Sequence, residues 1–330
     1  MSRRRPARFH GLLPVYKNPG PTSHDVVDMA RKALGERRIG HTGTLDPMAE
    51  GLLLLCVGQA TRLQQYLLLW DKTYRGEVKL GRATTTYDGE GETQEPTGDP
   101  PELDRQVLEA LAARFRGSIE QVPPPFSAKK IAGKKLYELA RSGEKVKPEP
   151  KKVVVHELEL AVAAPDMLSV EVRSSSGFYV RSLAHDVGIA LGCGGHLHHL
   201  HRLAIGPYSA DSALPQELLQ TADSAEQVVQ GKAWIPLEEV ALPFPEVELN
   251  PAAAIRFVHG QEVVVFKSGV EDLEKDGSVV IRGAHKRLLG IGIVRAVLAR
   301  GRTLNIAPAV VLDTSPTIVS RPEDRAEKLP

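Results

Sequence analysis

The sequence predicts an α+β fold, with helices and strands mixed through about residue 242 and a smaller β-rich region after it. Three observations predict this. Apolar residues recur with helical spacing over Ser23–Leu34 (Val26, Val27, Ala30, Leu34) and over Glu102–Phe115 (Leu103, Val107, Leu108, Leu111). Asp71–Gly81, Val153–Val162 and Leu168–Ser174 alternate as half-buried strands do. From Pro243 the chain changes character: short β-rich runs at Gln261–Phe266, Ser278–Arg282, Leu288–Leu298 and Thr303–Leu312 are separated by glycine and charged turns, which predicts a compact β domain.

The chain's 330 residues suffice for one sizeable core and a smaller second domain. Hydrophobic residues at 42% and charged residues at 25% are ordinary for a soluble protein. A net charge of +1 does not announce a nucleic-acid binder, but the charges are unevenly placed. Met1–Arg8 carries four arginines and no acid, whereas Ala83–Pro100 carries five acids and no base. That separation permits a positive face on a nearly neutral molecule. Two cysteines, Cys56 and Cys193, cannot build a disulfide framework, and no two-cysteine metal spacing occurs. No segment reaches the roughly 18–20 apolar residues that span a bilayer. The arginine-rich start has no hydrophobic stretch after it, so a cytoplasmic protein is expected.

In chain order, Gly11–Tyr16 is a short strand that runs into Lys17-Asn-Pro-Gly-Pro-Thr-Ser, where Thr22 or Ser23 caps the first helix. Lys17 fits an exposed lysine beside a turn as well as a site residue. Gly40-His-Thr-Gly-Thr-Leu-Asp-Pro-Met-Ala-Glu-Gly51 follows. Its glycines permit unusual backbone angles, and Pro47 biases Asp46 toward an extended conformation. Leu52–Val57 is too apolar to be anything but core. A carboxylate in a stiff turn at the edge of buried structure suits a nucleophile or general base, and it equally suits an Asx-type turn.

Gly58–Arg62 starts a helix toward Trp70, and Tyr74 sits near the start of the strand after it. The acidic Thr84–Glu92 stretch is a loop. Pro123–Pro125 end the Glu102–Phe115 helix region and open a basic segment, Phe126–Tyr137, with Lys129, Lys130, Lys134 and Lys135 between two aromatic rings. Gly177 permits a turn. Tyr179 and Arg181, two apart, are expected on one face of a following strand, with a helix beginning near Ser182. Leu191–His201 holds His196, His198, His199 and His201, but no cysteine or carboxylate stands at ligand spacing, so no metal is expected. Gly206 to about Leu242 is a linker containing a helix. From Thr314 no periodicity remains.

The stretches Lys17-x-Pro-Gly-x-Thr-Ser, Gly40-His-Thr-Gly-Thr-Leu-Asp-Pro47, Asp71-Lys-Thr-Tyr74, Thr84-x-Thr-x-Asp88 and Gly177-x-Tyr-x-Arg181 closely resemble the motifs of the bacterial tRNA pseudouridine synthase B family. Members isomerise the uridine at position 55 of the tRNA T-arm. The resemblance is continuous from residue 11 to about 210. It implies a mixed catalytic domain around a largely antiparallel sheet, with the cleft across it. The domains expected are a basic N-terminal tail (1–10), a catalytic domain (11–242) with a thumb-like RNA-gripping segment at about 123–148, a β-rich domain (243–313) and a disordered tail (314–330). The β-rich domain is similar, more weakly, to the PUA-like RNA-binding domain of these synthases and of archaeosine transglycosylases.

By the same resemblance, Asp46 is the catalytic carboxylate, Arg181 its ion-pair partner and Tyr74 the ring that contacts the target base. Tyr179 and Leu200 line the pocket, and His41 fills space left by the extruded base. Lys17, the thumb lysines Lys129, Lys130, Lys134 and Lys135, and Arg202 are candidates for RNA-backbone contacts. His201 stands where the family pattern often has arginine, which puts one phosphate contact in doubt. No cofactor is implied, the partner is tRNA with no membrane, and the protein acts as a monomer. A tRNA-folding protein without essential chemistry, a guide-RNA-dependent synthase and, more distantly, a metal-dependent hydrolase are the alternatives. The thumb-like segment favours the stand-alone enzyme.

Overall fold

The computed structural model describes residues 7–125, 149–266, 273–298 and 303–312, and the backbone of 130–131 and 134–135. Among the described residues an 11-stranded sheet dominates. Its main path runs Leu214–Pro215, Gly11–Lys17, Glu50–Val57, Gly195–Ile205, Lys72–Leu80, Met167–Ser174, Lys151–Ala164 and Gly117–Gln121. Neighbours are antiparallel except at two joins, Gly11–Lys17 with Leu214–Pro215 and Glu50–Val57 with Gly195–Ile205.

The Glu50–Val57 strand explains its own composition. Leu52, Leu54 and Cys56 enter one core, while Leu53, Leu55 and Val57 enter another on the opposite face. A strand covered on both faces needs apolar residues at every position rather than at alternate ones. The second of these cores is closed by the Ser23–Leu34 helix through Val26, Val27, Ala30 and Leu34. Thr22 caps that helix in a reciprocal box with Asp25, and Gly35 ends it in the left-handed region. Ser23, the other candidate cap, does different work described below.

A third core lies under the Arg105–Ala113 and Val180–Leu191 helices and includes Leu45, Ala49 and Leu200. The Val180–Leu191 helix packs directly on the Gly195–Ile205 strand. A Cβ on Gly188 would lie 2.0 Å from the Gly195 nitrogen, so only glycine permits this approach.

The C-terminal β-rich region forms a five-stranded sheet in the order Glu246–Glu248, Ser278–Arg282, Leu288–Leu298, Thr303–Val311 and Val263–Phe266. Its own core gathers Leu249, Phe257, Val279, Ile281 and Ile306. Val280, Leu288, Ile291, Val310 and Leu312 instead pack with Leu12, Leu52 and Leu54 of the large sheet.

The structure corrects several expectations. No strand is predicted over residues 195–205, yet Gly195–Ile205 lies near the middle of the large sheet. The Pro251–Val258 helix, capped by Asn250 with proline at its start, is also unpredicted. Gly58–Arg62 is a 3-10 turn followed by a single helical turn, Gln64–Leu67. No strand follows Gly177: Tyr179 is the cap of a helix that starts at Val180, which puts Arg181 in the first helical turn.

Candidate active site

The loop carrying Asp46 is anchored at one backbone carbonyl after another. Arg202 donates Nη2 to Gly43 O at 3.0 Å, Nη1 to Thr44 O at 3.4 Å and Nε to Leu52 O at 2.7 Å. Ser23 brackets Leu45, its Oγ donating to the carbonyl at 3.0 Å and accepting from the amide at 2.8 Å. Asp46 O accepts from Ala49 N at 3.1 Å, and Pro47 O from Gly20 N at 2.9 Å. Lys17 closes the series, donating Nζ to Ala49 O at 2.6 Å, Pro47 O at 3.2 Å and Asn18 O at 3.1 Å. With Leu45 and Ala49 buried on either side, Asp46 is held in one place.

Its carboxylate faces Arg181. Nη2 donates to Asp46 Oδ1 at 3.1 Å and Nε lies 2.9 Å from Oδ2, so the guanidinium meets both oxygens. The other amino group, Nη1, donates to Asp88 Oδ2 at 3.2 Å and Thr86 O at 3.1 Å. One buried cation therefore bridges two carboxylates. Burial pushes the Asp46 carboxyl above its ordinary value; Arg181 and Lys17 pull it down, and the nearby Asp88 charge pushes it further up. The pairing with Arg181 favours the ionised form against a larger opposing effect of burial.

Asp46 opens into a cleft of about 580 Å³ whose lining includes Tyr74, Tyr179, Arg181, Leu200 and Arg202. Two neighbouring strands and one helix with its cap supply them. Tyr74 lies opposite Arg202 in the antiparallel register, and Leu200 opposite Gly76. The two residues of the Gly195–Ile205 strand are two apart and share the cleft face. Tyr179 is fixed through its backbone: Gln121 Oε1 accepts from its amide at 2.8 Å and Nε2 donates to its carbonyl at 3.0 Å. Lys72 also lines the cleft, its Nζ on Leu68 O and Trp70 O, and burial lowers its pKa to about 8. His41 is one residue outside the lining, which begins at Thr42. Its Nδ1 accepts from Gly43 N at 3.3 Å, and burial lowers its pKa.

Lys17 and Arg202 depart from the expectation of RNA-backbone contacts. They are 0% and 1% exposed, with their donors on loop carbonyls, so neither cation is presented to a solvent-borne phosphate. Lys129 and the side chains of Lys130, Lys134 and Lys135 lie outside the described residues; the backbone at Lys130–Ile131 pairs with Lys134–Lys135. The histidines do not converge. His196 Nδ1 is 3.2 Å from Arg82 O, His199 Nε2 is 3.3 Å from Glu50 Oε1, and His201 meets Tyr16 edge-on at 5.6 Å.

Gln121 and Asp88 are among the residues shaping the site that sequence reasoning missed. Gln121 had no signal at all. Asp88 sits in a Thr-x-Thr-x-Asp pattern that could have identified it, but its acidic surroundings favour a solvated loop.

Comparison with known proteins finds similarity along most of the chain. The family described as "TruB family pseudouridylate synthase (N terminal domain)" matches residues 31–180. "tRNA pseudouridylate synthase B C-terminal domain" matches 181–246, and "Pseudouridine synthase II TruB, C-terminal" matches 245–299. The chain is 41% identical over 268 residues to the tRNA pseudouridine synthase B of Chromohalobacter salexigens, covering 81% of this chain and 86% of that protein. It is 39% identical over 295 residues to that of Caldanaerobacter subterraneus, covering 89% and 98%. Among solved structures, a chain of "Crystal Structure of a Cbf5-Nop10-Gar1 Complex" shares the fold with a TM-score of 0.72 and 25% identity, over 95% of this chain and 88% of that one.

Proposed function

The chain belongs to the TruB family of pseudouridylate synthases, and from that premise we propose that it isomerises the uridine at position 55 in the tRNA T-arm, with Asp46 as nucleophile. The observation that carries the assignment to Asp46 is its carboxylate, held by both oxygens on buried Arg181 at the wall of a cleft that Tyr74 and Leu200 also line.

The reaction breaks the bond from ribose C1′ to uracil N1 and forms one from C1′ to C5. The proton on C5 leaves and N1 ends protonated. No atom or electron enters from a second substrate, so the balance closes without a cofactor. Attack by Asp46 on the ribose and attack on the ring both satisfy it. Arg181 favours the ionised carboxylate against burial and fixes its direction. Tyr74 stacks on the base and assists removal of the C5 proton, while Tyr179 and Leu200 enclose the detached ring. The base must leave its stack to reach Asp46, and His41, at the edge of the cleft, occupies the vacated space. Lys129, Lys130, Lys134 and Lys135 hold the RNA backbone through a salt-sensitive contact. The protein works as a cytoplasmic monomer; among the described residues no helix is long and apolar enough to cross a membrane.

The test is incubation of the purified protein with unmodified tRNA, followed by pseudouridine mapping. Conversion of the single T-arm uridine is expected without any added RNA. Because the fold is shared with a chain of a multiprotein assembly, the assay is repeated with guide RNA. Conversion only under that condition, at another position, or not at all, overturns the stand-alone reading.

A further inference from the structure

The Val180–Leu191 helix grips the Asp88 loop twice. In its first turn, Arg181 donates to Thr86 O and Asp88 Oδ2. One turn later, on the same face, the His185 ring stacks on Tyr87 with centroids 3.8 Å apart and planes 9° from parallel. Three consecutive residues, 86 to 88, are thus held by two side chains of one helix.

Tyr87 adopts φ +65°, the left-handed region that L side chains other than Asn and Asp rarely enter. Such a conformation persists only where surroundings over-determine it. Here the restraints are the His185 stack and the bond from Leu197 N to Tyr87 O at 3.0 Å, which ties the loop to the strand bearing Leu200. The left-handed turn at Tyr87 is what carries Asp88 inward, where Thr86 Oγ1 and Glu90 N donate to its Oδ1 and Arg181 to its Oδ2. Neither Tyr87 nor His185 lines the cleft. A ring stack at this position brings nothing to substrate, and the loop it pins supplies the second carboxylate on Arg181.

We propose that Tyr87 and His185 are positioning residues for the isomerisation: their stack locks the Asp88 loop, which fixes the Arg181 guanidinium and through it the direction of Asp46. The proposal rests on the reading of Asp46 as nucleophile. It extends that site by a layer, the contacts running from His185 to Tyr87, then through Asp88 and Arg181 to Asp46.

The experiment measures single-turnover pseudouridine formation and tRNA affinity on the full chain. His185→Leu keeps bulk and loses the ring; His185→Phe keeps a ring. Tyr87→Gly loses the other ring while relieving the backbone angle, so a merely structural role predicts no loss there. His185→Leu and Tyr87→Gly should each slow the chemical step about 10- to 100-fold, as misplacement of a catalytic group does, with tRNA affinity within about threefold of wild type. His185→Phe should restore the rate to within about threefold. In an Asp88→Asn background, His185→Leu should cause little further loss, because the partner it positions is gone. If His185→Leu does not fold, Tyr87→Gly alone and with Asp88→Asn decides by the same measures. Wild-type rates in His185→Leu or Tyr87→Gly, or an undiminished loss in the Asp88→Asn background, overturn the proposal. Failure of the underlying reading looks different: it appears as an active Asp46→Asn protein, whatever His185 does.

Discussion

Arg181 addresses Asp46 through two atoms at once, Nη2 at 3.1 Å from Oδ1 and Nε at 2.9 Å from Oδ2, while its third nitrogen is held by Asp88. Only a planar fork can divide itself this way between two carboxylates. Arg181→Lys keeps the charge and loses the fork. A single ammonium cannot orient both Asp46 oxygens and still meet Asp88 and Thr86 O. The single-turnover rate is expected to fall about 100-fold or more with tRNA affinity little changed, because positioning is lost while the residues proposed to hold the RNA backbone are untouched. A rate within a few-fold of wild type shows that the charge alone suffices.

Asp88→Asn has a pH signature with a definite sign. With Asp46 as the proposed nucleophile, activity requires its ionised form. The Asp88 charge raises the Asp46 pKa, and its removal also leaves Arg181 to Asp46 alone. Both changes favour the carboxylate, so the acid limb of the kcat/KM profile should move to lower pH. The plateau should fall, since the guanidinium has lost an anchor. An acid limb that stays in place or moves up contradicts this account of the site.

Lys17→Met separates two roles for one lysine. Its Nζ holds three loop carbonyls, and burial lowers its pKa to about 8. The folded value lies below the ordinary 10.5, so between those values the unfolded chain binds more protons, and stability should rise with pH across that window. Lys17→Met should abolish that component and slow the chemical step by loosening the loop. If instead the rate is unchanged and the salt slope of tRNA binding drops by about one, Lys17 contacts a phosphate after all.

These residues also mark how far the sequence was legible. Gly43 and Pro47 announce a shaped loop because their backbone preferences are local, and the Leu52–Val57 run announces a buried strand because no other environment tolerates it. Arg181 and Tyr74 came from the resemblance, since one sequence does not show that a helix 135 residues downstream meets Asp46. Lys17 reads as exposed because cations beside turns usually are, and Arg202 as a phosphate contact by the resemblance; only the tertiary fold supplies the carbonyls that make their burial tolerable. Asp88 lies among acids that favour a solvated loop, and its inward turn depends on a helix 93 residues away. The Gly195–Ile205 strand was hidden by histidines and glycines that have no strand preference, and its pairing with Lys72–Leu80 is a long-range event. The Pro251–Val258 helix is a different case, because the Asn250-Pro251 cap was a local signal in plain view.

Asp46→Asn separates an enzyme from a binding protein. Asn has nearly the same size, and the loop is held by carbonyls from Gly43 to Ala49 rather than by the Asp46 side chain, so the backbone should be preserved. Burial raises the Asp46 pKa above its ordinary 3.8, which means the ionised form costs stability in the folded state. Between 3.8 and the folded value the native chain binds more protons, so this component of stability falls as pH rises through that window and stays absent above it. Removing the charge removes that cost, and Asp46→Asn should melt at or above the wild-type temperature at neutral pH. A carboxylate retained at an energetic cost is the mark of a functional group. Turnover, by contrast, should fall by many orders of magnitude, because the amide is not a nucleophile, while tRNA affinity changes by less than about tenfold, since the phosphate and stacking contacts are proposed at other residues. Melting, filter binding and single-turnover rates on the same preparation read all three quantities. Substantial pseudouridine formation by a stable, tRNA-binding Asp46→Asn protein would remove Asp46 from the chemistry and leave its ion pair with Arg181 a structural contact.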